Sequence, residues 1–250
     1  MKRKVLLLLL LSPMLFRLPR RVKKVSQKSF GFCNLSFFEK APAPVCAPCR
    51  IKQTPLALDP EYAQPFWGEV EFPPVTRFFV NTHDPIKQDV FISGSVHAKQ
   101  APWDKFIWDL IVRVSKKPGL VVDVGANIGY FSLLAAALGH QVVAFEPMNR
   151  NVAKFWSSVE TNHFEDKITL FQNAVVSEKG LRVALESTHH TNQGNGRIVG
   201  VGEWVDTVAL DDLVHSDVLL LKIDVEGFEG AVLDGARALL SRRKVQFITM

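Results

Sequence analysis

The sequence predicts an α/β fold, a mainly parallel sheet with helices on both faces, over residues 75–250. Three observations carry this prediction. Short apolar runs alternate with helical stretches from Leu120 onward, a glycine-spaced turn joins one such run directly to a helix, and acidic side chains stand where the runs stop. Strands separated by helices pair in parallel through right-handed crossovers, and such sheets collect ligands at the carboxyl ends of their strands.

The chain has 250 residues, of which 47% are hydrophobic, enough for a full α/β core with an N-terminal extension left over. Its formal charge of +5 is concentrated at the front. Lys2, Arg3, Lys4, Arg17, Arg20, Arg21, Lys23, Lys24 and Lys28 all precede the first acid, Glu39. The basic balance therefore points to a tail near a membrane surface or in targeting, and no nucleic-acid partner is expected at the active site. Residues 1–29 read as an N-terminal targeting or anchor segment: a basic start, then VLLLLLLSPMLF, too short for a full span. A secretory signal or signal anchor, with membrane association through the N-terminus and a secretory or endomembrane location, is favoured over the cytoplasm.

Residues 30–74 read as a Pro-rich linker holding Cys33, Cys46 and Cys49. Cys46-Ala-Pro-Cys49 has zinc or redox spacing, but no second pair follows and no βαβ unit surrounds it, so no metal is expected. In a secretory lumen a disulfide with one spare thiol would follow, and Asn34-Leu35-Ser36 would accept a glycan.

Beyond the linker, residues 77–81 and 89–93 are strand candidates. Residues 103–115 form a helix candidate with Phe106, Ile107, Leu110, Ile111 and Val114 on one stripe, while His97, Trp103 and Trp108 are candidates for ligand contact or, more commonly, core. The regular alternation then begins. Strands are expected over 120–124, 141–145, 168–172, 218–223 and 245–250, and helices over 130–138, 150–160 and 228–241. Between them LRVALES and DTVALDD read as short strands around a loop with His189, His190, Asn192, Gly194, Asn195 and Gly196, an insertion suited to a substrate-side lid. Its adjacent histidines could act as base or metal ligands, but such pairs are more often solvated.

The stretch GLVVDVGANIGYFSLLAAA is the chemical centre. Glycines in such a turn allow the backbone to pass close under a ligand, with helix N–H groups facing it. The dinucleotide fingerprint is GxGxxG, shaped for a pyrophosphate. Here Gly125 and Gly129 are spaced GxxxG, with Asn127 between them and Asp123 at the strand end, where it would repel a phosphate and accept a cationic or hydroxyl-rich ligand. S-adenosylmethionine, with an ammonium, a sulfonium and a ribose but no phosphate, suits this site. Glu146, at the end of the next strand, is placed to accept both ribose hydroxyls. A nicotinamide-dependent dehydrogenase is disfavoured by the same residues.

In LLLKIDVEGFEG, charges crowd a buried strand, which is costly unless they are paired or used. Asp224, Glu226 and Glu229 are the catalytic candidates. Asp224 would close the pocket near the methionine part of the cofactor, and Glu226 or Glu229 would handle an acceptor hydroxyl or a cation. In the alternative reading, Lys222 pairs with one of these acids and a glutamate caps the next helix.

Four ordered blocks, DVGANIGYFSLLAA, AFEPMNRN, NAVVSEKG and LKIDVEGFEGAVLDGA, resemble the FkbM-type S-adenosylmethionine-dependent methyltransferases over residues 89–250. The resemblance implies a Rossmann-like class I methyltransferase fold and methyl transfer to a hydroxyl oxygen; the acceptor is expected to be a small molecule, or a glycan or lipid-linked hydroxyl if the apolar N-terminus routes the chain to the secretory pathway. It also implies adenine contacts from Asn173 and Ala174, with a turn-forming Asn as the competing account of Asn173. Set beside the seven-stranded family sheet, the domain is expected to lack its last strands. That expectation keeps open a noncatalytic remnant that binds cofactor or a partner.

Overall fold

The computed structural model describes residues 38–40, 65–72, 74, 77–82, 92, 95–96, 102–187, 196–199 and 202–250. The Met1–Phe16 segment, Asn34, the three cysteines, His97, His189, His190, Asn192, Gly194 and Asn195 lie outside the described residues. In chain order the elements are β1 (Phe38–Lys40), β2 (Phe66–Val70), β3 (Phe78–Thr82), α1 (Lys105–Val114), β4 (Leu120–Val124), α2 (Tyr130–Ala137), β5 (Gln141–Phe145), α3 (Asn149–Thr161) and β6 (Ile168–Phe171). There follow β7 (Ala174–Val175), β8 (Leu181–Ser187), β9 (Gly196–Val199), β10 (Glu203–Val208), α4 (Leu210–Leu213), β11 (Val218–Ile223), α5 (Glu229–Asp234), α6 (Arg237–Arg242) and β12 (Val245–Thr249).

The central sheet has the order β12-β11-β4-β5-β6, with every pair parallel. Alternation along each strand feeds two cores, because successive side chains point to opposite faces. Val121, Val142, Leu170 and Leu220 pack with Leu133 and Leu134 of α2 and Phe155 of α3. Val122, Phe145, Leu221 and Ile248 pack with Val232 of α5 and Leu239 of α6 on the other face. Helices thus cover both faces, and each fully buried Leu, Ile or Phe contributes roughly 1.5–3 kcal/mol of transfer free energy. β4 is the middle strand. The chain leaves it toward β5 and β6 and returns on its other side as β11 and β12, so the strand order reverses between β4 and β11 and opens a crevice at their carboxyl ends.

The insertion joins β7 and β1, the latter from the stretch read as linker, in a second sheet in the order β1-β8-β10-β7, with β9 on β8. Its β10 runs parallel to β7 just past β6, and Val183, Leu185 and Val205 pack against Met148 and Ala174. Gly196, expected in a loop, begins β9.

β2 and β3 form an antiparallel hairpin, although β2 falls in the stretch read as linker. The outer edge of β3 is covered by polar side chains of α3 and its C-cap. Asn81 N–H donates to Ser158 Oγ (2.8 Å) and Phe79 N–H to Asn162 Oδ1 (2.8 Å), while Asn162 Nδ2 donates back to Phe79 O (2.7 Å). The edge that would otherwise template aggregation is closed by its own domain.

Three local expectations are corrected. Ile92, the described residue of the expected strand 89–93, is helical. In α1, Ile107, Leu110 and Ile111 of the expected stripe pack on the core, but Phe106 is exposed and Trp108 takes the inward place, among the rings of Phe72, Phe78 and Tyr130. The expected helix 228–241 is two short helices. Asp211 accepts from the N–H groups of Ala238 and Leu239 (2.8 and 2.7 Å), capping α6 from a distant segment and starting it anew after Gly235.

Candidate active site

A cleft of about 380 Å³ opens at the carboxyl ends of β4, β5 and β11, at the crossover point, a size typical of small-molecule sites. Of the residues singled out in the sequence, Gly125, Asn127, Glu146, Asn173, Ala174, Asp224 and Glu226 line it. Asp123, Gly129 and Glu229 do not.

The turn after β4 is closed on itself. Gly125 and Ala126 both donate N–H to Phe145 O (2.9 and 3.0 Å), Asn127 N–H donates to Glu146 Oε2 (2.9 Å), Ile128 N–H to Asn127 Oδ1 (2.8 Å) and Gly129 N–H to Ala126 O (2.9 Å). All five N–H groups from Gly125 to Gly129 are thus engaged within the protein, and the turn itself offers no anion-binding nest. The glycines answer to packing as well as to φ. Gly125 (φ 77°) lies against the Asp224 carbonyl, and Gly129 (φ 84°) against the Phe155 ring, where a Cβ would overlap in each case.

Glu146 is almost fully buried. Its Oε1 accepts from Met148 N–H (3.1 Å) and Asn151 Nδ2 (3.0 Å), and its Oε2 from Asn127 N–H. Burial raises its pKa, against the opposing pull of those three donors and of Arg150. One carboxylate thus shapes the turn and faces the cleft.

Asp123, predicted to meet the ligand, is instead withdrawn into the core. Its Oδ2 accepts from Ser132 Oγ (2.7 Å) and its Oδ1 from Lys222 Nζ (3.0 Å). Register explains the pairing, because Lys222 stands directly opposite Asp123 on adjacent parallel strands and on the same face. Lys222 also donates to Gly125 O (3.2 Å), lies 3.8 Å from Asp224 Oδ2, and sits over the Phe131 ring at 5.8 Å. Burial alone would lower the Lys222 pKa, but Asp123 foremost, then Asp224 and Glu146, carry it above the ordinary value. Sequence reasoning paired Lys222 with one of the acids that follow it, and Asp224 is such a partner, but it missed the closer bond to Asp123. Shared strand-end position was the available signal.

β11 ends at Ile223, so Asp224 and Glu226 leave the strand pattern and enter a tight loop. The Asp224 side chain is 63% exposed and Glu226 is exposed, with φ 53°. Asn127, across the cleft, also has positive φ (54°), and such strain in non-glycine residues concentrates at functional sites. Glu229 is different: its Oε1 accepts from Val225 N–H (3.3 Å) and Gly227 N–H (3.2 Å), so it holds the loop's shape. Among the described residues no three His, Cys, Asp or Glu side chains gather as a metal site.

Asn173 is fully buried, lines the cleft and donates its amide to Asp206 O (3.0 Å), tying β10 to the central sheet. Trp103 and Tyr130 line the cleft wall, whereas Trp108 belongs to the core. The Tyr130 hydroxyl accepts from Trp103 N–H (3.1 Å), and burial raises its pKa. The charged residues lining the cleft are Glu146, Asp224, Glu226 and Lys222. With Lys222 compensated by Asp123, the cleft carries an excess of negative charge.

A parallel sheet with this crevice and a closed glycine turn is a Rossmann-like α/β fold. The model of the Methyltransferase FkbM domain matches residues 123–250, and the chain belongs to that family of S-adenosylmethionine-dependent methyltransferases. Among solved structures it is similar to methyltransferase FkbM from Methylobacillus flagellatus KT, at 22% identity over 52% of this chain and 32% of that one, with a TM-score of 0.39. It is also similar to a SAM-dependent methyltransferase from Agrobacterium tumefaciens, at 15% identity over 45% of this chain and 34% of that one, with a TM-score of 0.32. The chain thus spans about a third of the length of these solved chains, and at such TM-scores the family rests on the domain match alone. No curated protein matches the chain.

Proposed function

We propose that this chain binds S-adenosylmethionine in the cleft and transfers its methyl group to a hydroxyl oxygen of a small molecule or glycan. The observation that carries the reading is the pairing of a phosphate-refusing turn with a cleft of net negative charge. Every N–H from Gly125 to Gly129 is engaged within the protein, and the single lysine among the lining residues is matched by Asp123. A cationic nucleoside without phosphate suits such a site, and a dinucleotide does not.

In this reading Glu146 accepts the ribose hydroxyls through lone pairs left on its carboxylate. Ala174 and Met148 contribute apolar wall beside Asn173, and the Gly125–Asn127 backbone forms the floor. When bound, the sulfonium supplies an activated methyl group. The protein's work is to orient the acceptor, exclude water and take one proton. Asp224 and Glu226 stand at the opening with free access to solvent, and a carboxylate there receives the hydroxyl proton as general base, a role worth about 10² to 10⁴-fold in rate. Glu229, occupied with the loop backbone, is left out of the chemistry.

Calorimetric titration with S-adenosylmethionine, its demethylated product and NAD tests cofactor choice. Binding of the first two and not the third is expected, and preference for NAD overturns the reading. Transfer of a labelled methyl group to polyol or glycan acceptors tests the second half. Transfer confined to nitrogen or carbon acceptors would refute the hydroxyl assignment.

A further inference from the structure

At the opposite end of the sheet from the cleft lies a second groove, of about 720 Å³, between the end of α1 and the starts of β4, β11 and β12. Its floor is apolar, with Leu110, Leu120 and Phe247. Its lining carries four cations, Arg113, Lys116, Lys117 and Lys244, all exposed, and none forms an ion pair among the described residues. The one acid in the lining, Asp217, already accepts from Lys244 N–H (2.9 Å). Arg242 and Arg243, both exposed, immediately precede Lys244.

A helix C-terminus attracts cations through its dipole, which accounts for Arg113 and the two lysines just past α1. Lys244 stands likewise just past the C-terminus of α6, so each cation suits its own helix end, but the dipoles do not account for two cationic helix ends meeting across one groove. Like charges gathered over an apolar floor repel one another unless an anionic partner compensates them.

We propose that this groove is a docking surface for an anionic lipid bilayer. Single-stranded nucleic acid, the competing polyanion, is held by aromatic side chains interleaved with cations, and among the described residues the only aromatic one lining this groove is the half-buried Phe247. A bilayer offers acidic headgroups for the rim and hydrocarbon for the floor. The same chain carries a basic and apolar segment at residues 2–28, and membrane anchoring is stable when an apolar signal is joined by a polybasic patch. Docking by the amino ends of the strands would turn the catalytic cleft away from the lipid, about 16 Å off by the length of a five-residue strand, toward water-borne acceptors.

The test is co-sedimentation of the full chain with vesicles of phosphatidylcholine alone and with 30% phosphatidylserine, with the N-terminal segment unaltered throughout. Binding to the acidic vesicles is expected, weakening as salt rises. The variant Arg113→Gln/Lys116→Gln/Lys117→Gln/Lys244→Gln should keep the fold by circular dichroism and lose partitioning on the order of 100-fold. Equal binding of variant and parent, equal binding to neutral vesicles, or a groove-dependent preference for single-stranded RNA over acidic vesicles would each overturn the proposal.

Discussion

Lys222 Nζ and Asp123 Oδ1 lie 3.0 Å apart, 99 positions distant in sequence, with side chains only 4% and 2% exposed. They join the two strands between which the sheet order reverses, and through Gly125 O the same ammonium holds the turn that floors the cleft.

Removing either partner leaves an uncompensated buried charge. Lys222→Met or Asp123→Asn should each cost about 3–5 kcal/mol in urea unfolding. The double variant Asp123→Leu/Lys222→Met should recover most of that loss, because an apolar pair is no worse than a buried ion pair. A double variant as unstable as the worse single would contradict this.

The three acids after β11 should separate by assay. Asp224→Asn and Glu226→Gln should lower turnover or cofactor affinity at least tenfold with unchanged melting temperature, since both side chains reach solvent. Glu229→Ala should instead reduce stability by roughly 1 kcal/mol, through the lost bonds to Val225 and Gly227, and affect turnover only through the loop. Loss of activity confined to Glu229 variants in a fully stable protein would reverse the assignment.

Gly139 and Gly125 share positive φ but not surroundings. Gly139 (φ 89°) has open space, so Gly139→Ala should cost only the left-handed strain, roughly 1–2 kcal/mol. Gly125→Ala adds an overlap with the Asp224 backbone and should be clearly worse, displacing the acidic loop and weakening ligand binding as well. Chemical denaturation of both variants, with a binding titration, makes the comparison.

His140 should make stability fall in mild acid. It is buried, its Nδ1 accepts from Gly119 N–H (3.1 Å), and its Nε2 meets Ser115 Oγ (2.6 Å), which itself donates to Ile111 O (2.6 Å). This is the bonding pattern of the neutral ring, and burial holds its pKa below the ordinary 6.5. The unfolded chain therefore binds the extra proton first. The contribution of His140 is complete above pH 6.5 and declines as pH falls from there through the lowered folded value, by at most about 1.4 kcal/mol per pH unit. His140→Gln should flatten this part of the stability profile; an unchanged slope would locate it elsewhere.

The strands β4, β5 and β11, the helix α2 and the cleft residues Gly125, Asn127, Glu146, Ala174, Asp224 and Glu226 were legible in the sequence. Runs of branched apolar residues, a GxxxG turn and strand-end acids are local signals, and parallel topology sends strand ends to one crevice. Tertiary structure alone decided what each polar group meets. The register of β4 against β11 drew Asp123 away from the cleft and onto Lys222. The seat of β10 claimed the Asn173 amide, and Asp211 split the last helical stretch by capping α6. A buried charge or amide takes whichever partner packing brings within about 3 Å, and residue order does not encode that proximity.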